Sequence, residues 1–277
     1  MTYASVMVYG GDDVAAATRV ALAAEIALHF DARVLGIIGS PAEAPIVDSY
    51  TGGAMLGETL ALFRDIAEAD VQRAETAFWK TAGSCADRFE WRGRTGLPGD
   101  VVSHSLRAAD LIVVGRRDPT ALSAHTLDPA DLLMIAGRPL LVTPPSALRG
   151  PIAEPAVVAW TDSREAQRAV QLALPLLKAA SRVHVIEISA ESGLKDAQDR
   201  VTDVADYLAR HGIVADGQAV QGNGSARPSQ IIEYAEDKCA GLVVAGGYGH
   251  ARMREWIMGG VTHGLLADCP VCLFVSH

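Results

Sequence analysis

The sequence predicts an α/β chain built as two tandem domains, each a five-stranded parallel sheet covered by helices. Three observations carry that expectation. Short β-rich runs alternate with segments of helical period. The apolar runs, such as residues 111–114, suit strands buried on both faces. The second half of the chain also repeats the first.

The elements follow in order. Strands are expected at 5–9, 33–38, 88–91, 111–114 and 140–142 in the first half. In the second half they are expected at 156–160, 182–188, 214–220, 242–245 and 271–275. Between them, Leu60, Phe63, Ala67, Val71, Ala74 and Phe78 follow a 3.6-residue period, as do Val201, Val204, Ala205 and Leu208. Strand–helix alternation of this kind gives parallel sheets with right-handed crossovers. Ligands of such sheets bind beyond the carboxyl ends of the strands, near a topological switch point.

The repeat is read residue by residue. The run Ala109-Asp110-Leu111-Ile112-Val113-Val114-Gly115 matches Ala240-Gly241-Leu242-Val243-Val244-Ala245-Gly246. Without a gap, Ala136 then meets Ala267, and Pro139 meets Pro270 before a terminal apolar run. Upstream, Ala17-Thr18-Arg19 matches Ala166-Gln167-Arg168, and Arg33-Val34 matches Arg182-Val183. The seam, Pro144-Pro145-Ser146-Ala147-Leu148-Arg149-Gly150-Pro151, reads as a linker. The expected domains are therefore 1–145 and 155–277.

Composition bounds the function. Of 277 residues, 49% are hydrophobic and only 21% charged, enough for packed cores. The formal net charge of −9 argues against a general nucleic-acid binder, which needs a basic face to displace counterions. No run is apolar enough for a membrane span, no basic and apolar leader opens the chain, and four cysteines do not make a disulfide scaffold. A cytoplasmic setting is the default, with neither nucleic acid nor membrane as partner.

One loop carries chemistry. After the fourth strand of the second half comes Gly246-Gly247-Tyr248-Gly249, then nine residues, then Gly259-Gly260-Val261-Thr262 opening the last helix. Glycine lets a backbone approach a ligand closely. Free amides at a helix N-terminus, at the positive end of its dipole, bind phosphate. The other reading is that these glycines serve only as turns. In the first half, Gly249 aligns with Asp118, and Gly259-Gly260 with Asp128-Pro129. A carboxylate repels phosphate and proline has no N–H to donate, so only the second half is expected to form the cradle.

The G-x-x-G, nine-residue spacing and G, followed by a helix and a Pro-Val strand, resembles the universal stress protein family. The segment Val158-Ala159-Trp160-Thr161-Asp162-Ser163-Arg164-Glu165-Ala166 is similar to that family's opening motif. The resemblance covers the whole chain as two tandem domains. It implies a Rossmann-like, adenine nucleotide alpha hydrolase-like fold that binds ATP or AMP, with or without Mg, in a stress-response or signalling role. Binding residues are implied at Thr161, Asp162, Ser163, Gly246, Gly249, His250, Gly259, Gly260, Val261 and Thr262. The family's opening Asp falls on Thr161, with Asp162 next. Its Ser or Thr after the last glycine is Gly260 here, with Thr262 two residues on. Pairing of last strands, as in family dimers, implies an intrachain pseudo-dimer, with a homodimer as a further option.

Other candidates have plainer readings. Cys269-Pro270-Val271-Cys272 is a CxxC on an expected strand, with no second pair to complete a zinc site. His250 reads equally as a phosphate contact or a solvated loop residue. His263 reads as helix surface, and Tyr248 and Trp256 as packing aromatics rather than a cover for a base. The segment from Ser40 to Gly57 is expected as a long loop, either a lid or an insertion. No Ser-His-Asp, HExxH or Walker A pattern is present, so no catalytic residue is assigned. The function classes left open are a nucleotide-binding stress protein without efficient turnover, a weak ATP hydrolase, and a nucleotide-free interaction scaffold.

Overall fold

The structure, a computed structural model, describes residues 2–11, 15–42, 53–117, 126–145, 150–222, 226–249 and 260–277. The chain divides into two compact units. One is Ala4–Asp128; the other is Pro129–His277, joined by the N-terminal residues through Tyr3. Within the latter, the Tyr3 hydroxyl donates to the Leu172 carbonyl at 2.9 Å.

The first unit contains β1 (Ser5–Tyr9), α1 (Ala16–Phe30), β2 (Arg33–Ile37), β3 (Gly39–Ser40), α2 (Gly53–Ala82), β4 (Phe89–Trp91), β5 (Arg94–Thr95), α3 (Pro98–Ser103) and β6 (Leu111–Gly115). Strands β6, β1, β2 and β4 lie side by side in that order, all parallel. The apolar runs fill the interior: Val6, Met7, Val8, Ile112 and Val113 are all fully buried. Helix α2 buries Ala67, Ala74 and Phe78 of its periodic stripe, whereas Leu60, nearer its start, is exposed. It begins at Gly53, inside the stretch expected as a loop, of which residues 43–52 lie outside the described residues. The Phe78 ring stacks at 5.3 Å from Phe89 and 5.1 Å from Trp91. Gly36, in mid-strand, makes room for it, since a Cβ there would lie 2.5 Å from the Phe78 ring. The short pair β3–β5 was not visible in the sequence, because two-residue strands carry no periodicity.

The second unit contains α4 (Pro129–Ala136), β7 (Leu140–Thr143), β8 (Ala156–Ala159), α5 (Arg164–Ala179), β9 (Val183–Ser189), α6 (Leu194–Arg210), β10 (Ala215–Gln221), α7 (Arg227–Asp237), β11 (Leu242–Gly246), α8 (Gly260–Asp268) and β12 (Cys272–Ser276). Its strands run β10-β9-β8-β11-β12-β7. The first five are parallel, and β7 pairs antiparallel with β12, placing Leu273 opposite Val142 and Val275 opposite Leu140. The α/β class with parallel sheets is as expected. The strands divide four and six rather than five and five, because β7 belongs to the first repeat in sequence but hydrogen-bonds to the last strand of the second.

Strand β10 is an edge strand of this unit, and its outer rim is capped by glutamine side chains. The Gly222 amide donates to the Ser189 carbonyl and the Val214 carbonyl accepts from Val183, so even-numbered positions face β9. The odd-numbered groups point away. Gln198 on α6 donates to the Gly217 carbonyl at 3.0 Å and accepts from the Ala219 amide at 2.9 Å. Gln230 on α7 donates to the Gln221 carbonyl at 3.2 Å. Uncovered edge groups are templates for pairing with another chain. The variant Gln198→Ala is therefore expected to self-associate at high concentration, as read by light scattering. A constant monomer-to-dimer ratio identical to wild type at every concentration would count against this role.

At the far end of β9 and β10, His184 Nδ1 lies 2.9 Å from Asp216 Oδ1, and Arg182 donates to Asp216 Oδ2 at 2.9 Å. Burial raises the Asp216 carboxyl, but hydrogen bonds from His184 and Arg182 outweigh it and hold the group below its ordinary value. A depressed carboxyl stabilises the fold above its unfolded value, roughly 3.9, and that contribution is lost as the pH falls through the folded value. The stability gap between wild type and Asp216→Asn is thus expected to be full near neutrality and to close in acid below about pH 4. Thermal melts across that range check it; a gap independent of pH would contradict it. The nearby Tyr234 hydroxyl is pushed up by burial and by the Asp216 charge.

Candidate functional site at the carboxyl ends of β8 and β11

In the second unit the chain moves from β8 outward through β9 to β10, then returns across β8 to β11. The order reverses between β8 and β11, which is where open α/β sheets leave a crevice at their carboxyl ends. Two loops leave the sheet there. One is Trp160-Thr161-Asp162-Ser163, running into α5; the other is Gly247-Tyr248-Gly249.

The first loop is tightly tied. The Trp160 amide donates to the Ile186 carbonyl at 2.7 Å, and the Ser163 amide to the Thr161 carbonyl at 2.7 Å. Ser163 caps α5, its hydroxyl accepting from the Ala166 amide at 3.2 Å. Such a cap contributes roughly 1 kcal/mol. Thr161 and Asp162 are exposed, with the Thr161 hydroxyl 3.4 Å from that of Ser163. Glu187, near the end of β9, is nearly buried and receives two hydrogen bonds from Arg200 on α6, at 2.9 and 2.5 Å. Those bonds raise the Arg200 guanidinium above its ordinary value, with a smaller contribution from the charge of Asp162.

The glycines of the second loop differ in why they are glycine. A Cβ on Gly246 would lie 2.5 Å from the Ala166 amide nitrogen, so β11 and the start of α5 close on each other there. A Cβ on Gly247 would lie 2.5 Å from Leu133 Cδ2 on α4. Packing accounts for both. Gly249 is exposed, and its missing Cβ would sit 3.4 Å from Glu165 Oε2, an ordinary contact. Gly260 is exposed, opens α8, and among the described residues has nothing within 4 Å of a Cβ. Tyr248, between Gly247 and Gly249, has a left-handed backbone, φ 41°, a conformation uncommon outside glycine. Its amide donates to the Thr262 hydroxyl at 3.4 Å, and Thr262 is nearly buried, so that residue ties the loop to α8. Gly247 is fixed to the C-terminus by its amide on the Ser276 carbonyl at 2.9 Å and its carbonyl 3.2 Å from His277 Nδ1.

The structure thus brings Thr161, Asp162 and Ser163 to the β8 side of the crevice and Gly246 and Gly249 to the β11 side. Gly260, Val261 and Thr262 form the first turn of α8. His250 and Gly259, with Trp256, lie outside the described residues. His263 is exposed on α8. The CxxC is not wholly on a strand: Cys269 follows α8, and β12 begins at Cys272; both residues are buried and neither forms a disulfide. Among the described residues, no group of three or more His, Cys, Asp and Glu is placed to hold a metal ion. No helix among them is long and apolar enough to cross a membrane.

Glu165 is the site residue that sequence reasoning missed. It sits in the first turn of α5, 7% exposed, with its carboxylate turned toward Gly249. Its burial could have been suspected from Ala166, Ala169 and Val170 on the same helix, but its direction depends on the fold of β11.

The corresponding end of the first unit holds a buried arginine. The Arg19 guanidinium is 2% exposed, donates through Nε to the Tyr9 carbonyl at 2.7 Å, and lies where a Cβ on Gly115 would be 2.5 Å from Nη1. Its repeat partner Arg168 instead reaches the surface and donates to the His277 carbonyl at 3.2 Å. Asp128 is paired with Arg117 at 3.0 Å, and Asp118 lies outside the described residues.

Comparison with family models finds no match, and neither does comparison with curated proteins. Solved structures do match. A universal stress protein from Archaeoglobus fulgidus DSM 4304 superposes with a TM-score of 0.67 at 16% identity, over 98% of this chain and 97% of that one. A functionally unknown protein from Pseudomonas aeruginosa PAO1 gives 0.59 at 16% identity, over 99% and 92%. A Pseudomonas aeruginosa UCBPP-PA14 protein, provisionally named a universal stress protein, gives 0.59 at 18% identity, over 99% and 93%. From end to end, the chain has the fold of the universal stress proteins.

Proposed function

We propose that the chain is a tandem universal stress protein whose second repeat binds an adenine nucleotide, ATP or AMP. The base and sugar lie toward Thr161 and Asp162, and the phosphates toward Gly249 and the first turn of α8. The observation that carries this reading is Gly260. It opens α8 without a side chain, so no Cβ of its own covers the first amides of the helix. Amides at such a terminus favour an anion.

The first repeat is the partner rather than a second site, since Arg19 occupies the end of β6 and Asp128 stands where Gly259 stands in the second repeat. The antiparallel pairing of β12 with β7 supports reading the two repeats as an internal pseudo-dimer. No nucleophile and base are paired at the site among the described residues, which favours sensing or signalling by the bound nucleotide over rapid turnover.

The test is mass spectrometry of small molecules released from freshly purified, denatured protein, followed by calorimetric titration of ATP and AMP into the emptied chain. One adenine nucleotide per chain is expected. No released ligand and no heat with either nucleotide would replace this reading with that of a nucleotide-free scaffold.

A further inference from the structure

We propose that the chain forms a reversible homodimer through the exposed stripe of α2 that runs from Glu58 to Arg73. The two copies of the helix lie antiparallel across a twofold axis that passes between Asp65 and Ile66.

The helix is longer than the sheet it covers. Its 30 residues extend about 45 Å, whereas the five-residue strand β2 spans only about 17 Å. Its buried positions begin at Ala67 and continue through Asp70, Ala74 and Phe78. From Gly57 to Ile66 no residue is buried. Yet that stretch carries Leu60, Leu62 and Ile66, at 45%, 57% and 47% exposure. A few turns of helix without packing are marginal in water, because most helical stability comes from a covered apolar face. A cover for these turns is therefore implied.

The stripe is complementary to itself. Glu58, Leu62, Ile66, Ala69 and Arg73 follow one another at helical spacings of four, four, three and four, which keeps them on one side, and all are exposed. That side lies roughly opposite the buried positions. Antiparallel pairing sets Glu58 of each copy against Arg73 of the other, Leu62 against Ala69, and Ile66 at the centre. A twofold contact of this kind uses the same patch on both copies, and the charges at its ends fix direction and register. A parallel pair would set Glu58 against Glu58 and Arg73 against Arg73. Asp70 pins the Arg73 side chain, which is still 69% exposed. The Asp65 carboxylates of the two copies meet near the axis, and their repulsion keeps the association reversible. The β12 edge is already paired with β7 within the chain, so a second copy needs a surface of this other kind. A single helix stripe falls below the roughly 800 Å² per partner of a standard interface, which sets the association at micromolar or weaker.

Sedimentation velocity on the full chain, from about 1 μM to about 500 μM, reads the association. Wild type is expected to move from monomer toward dimer across that range. Ile66→Glu, at an exposed position, is expected to fold and to remain monomeric at every concentration. Glu58→Arg and Arg73→Glu each set like charges opposite one another twice by symmetry, and each is expected to weaken the dimer about tenfold. The double variant carrying both changes exchanges the two ends and is expected to restore wild-type association, which loss of folding cannot mimic. A wild type that stays monomeric throughout overturns the inference and leaves the stripe to a different protein. So does a dimer that a folded Ile66→Glu leaves unchanged, or a double variant that associates no more tightly than the single ones.

Discussion

Replacing Gly249 with Asp is expected to weaken ATP and AMP binding about a hundredfold while leaving the protein folded. Gly249 is exposed, and its φ lies outside the left-handed region, so a side chain fits the backbone without strain. The backbone itself tolerates the change, and the approach of the new carboxylate to Glu165 adds a destabilisation that the melting curve reads. The new carboxylate would stand beside Glu165 and the phosphates. Two unit charges about 5 Å apart at an effective dielectric near 20 repel by about 3 kcal/mol, roughly a hundredfold in affinity. Calorimetry on a variant whose melting curve shows it folded at the assay temperature makes the test clean. Undiminished binding by that folded variant would move the phosphates away from this loop altogether.

Removing the Phe78 ring should have the largest effect on stability. The side chain is 1% exposed, stacks on Phe89 and Trp91, and fills the space above Gly36. Truncating a buried Phe to Ala costs about 3–5 kcal/mol, because the cavity collapses only in part. Here the rigid β2 backbone on one side and two rings on the other leave little to collapse, so the upper half of that range is expected for Phe78→Ala. Because the chain has two compact units, the loss should appear as an earlier transition of the first unit in denaturant, with the second little changed. A shift worth less than about 1 kcal/mol would mean that α2 does not hold the first unit together.

Most of the architecture was legible from the chain alone, and the reason is local. Most of the ten principal strands are short apolar runs between helical stripes, β4 and β10 being more polar, and each falls within a residue or two of its expected place. The stripe on α6 buries Val201, Ala205 and Leu208 as its period requires. What was not legible depends on contacts between distant residues. The pairing of residues 140–143 with 272–276 was expected only from the family resemblance, since both runs are equally apolar and neither sets its own partner or direction. The match of Arg19 with Arg168 is a true sequence correspondence, yet one guanidinium is buried beside Gly115 and the other is exposed. Local pattern cannot separate them. The glycine loop was legible as a motif, but not its internal division: Gly246 and Gly247 are fixed by neighbours that come from α5 and α4. Glu165 was passed over because a Glu in a helix's first turn is ordinary; only the approach of Gly249 makes it notable.

The position of β7 bears on how far this protein can be taken apart. The repeat invites excision at the proline-rich seam, as though each half were a module to be expressed, shuffled or fused. The compact units do not end there. A fragment starting at residue 155 would lose α4, whose Leu133 lies against Gly247 beside the glycine loop, and would lay bare the β12 edge that β7 covers. An exposed apolar strand edge invites aggregation. A fragment starting at residue 129 keeps the β12–β7 pairing and α4. Inheritance set the boundary of the repeat, whereas packing sets the boundary of the compact unit, and in this chain the two lie one helix and one strand apart.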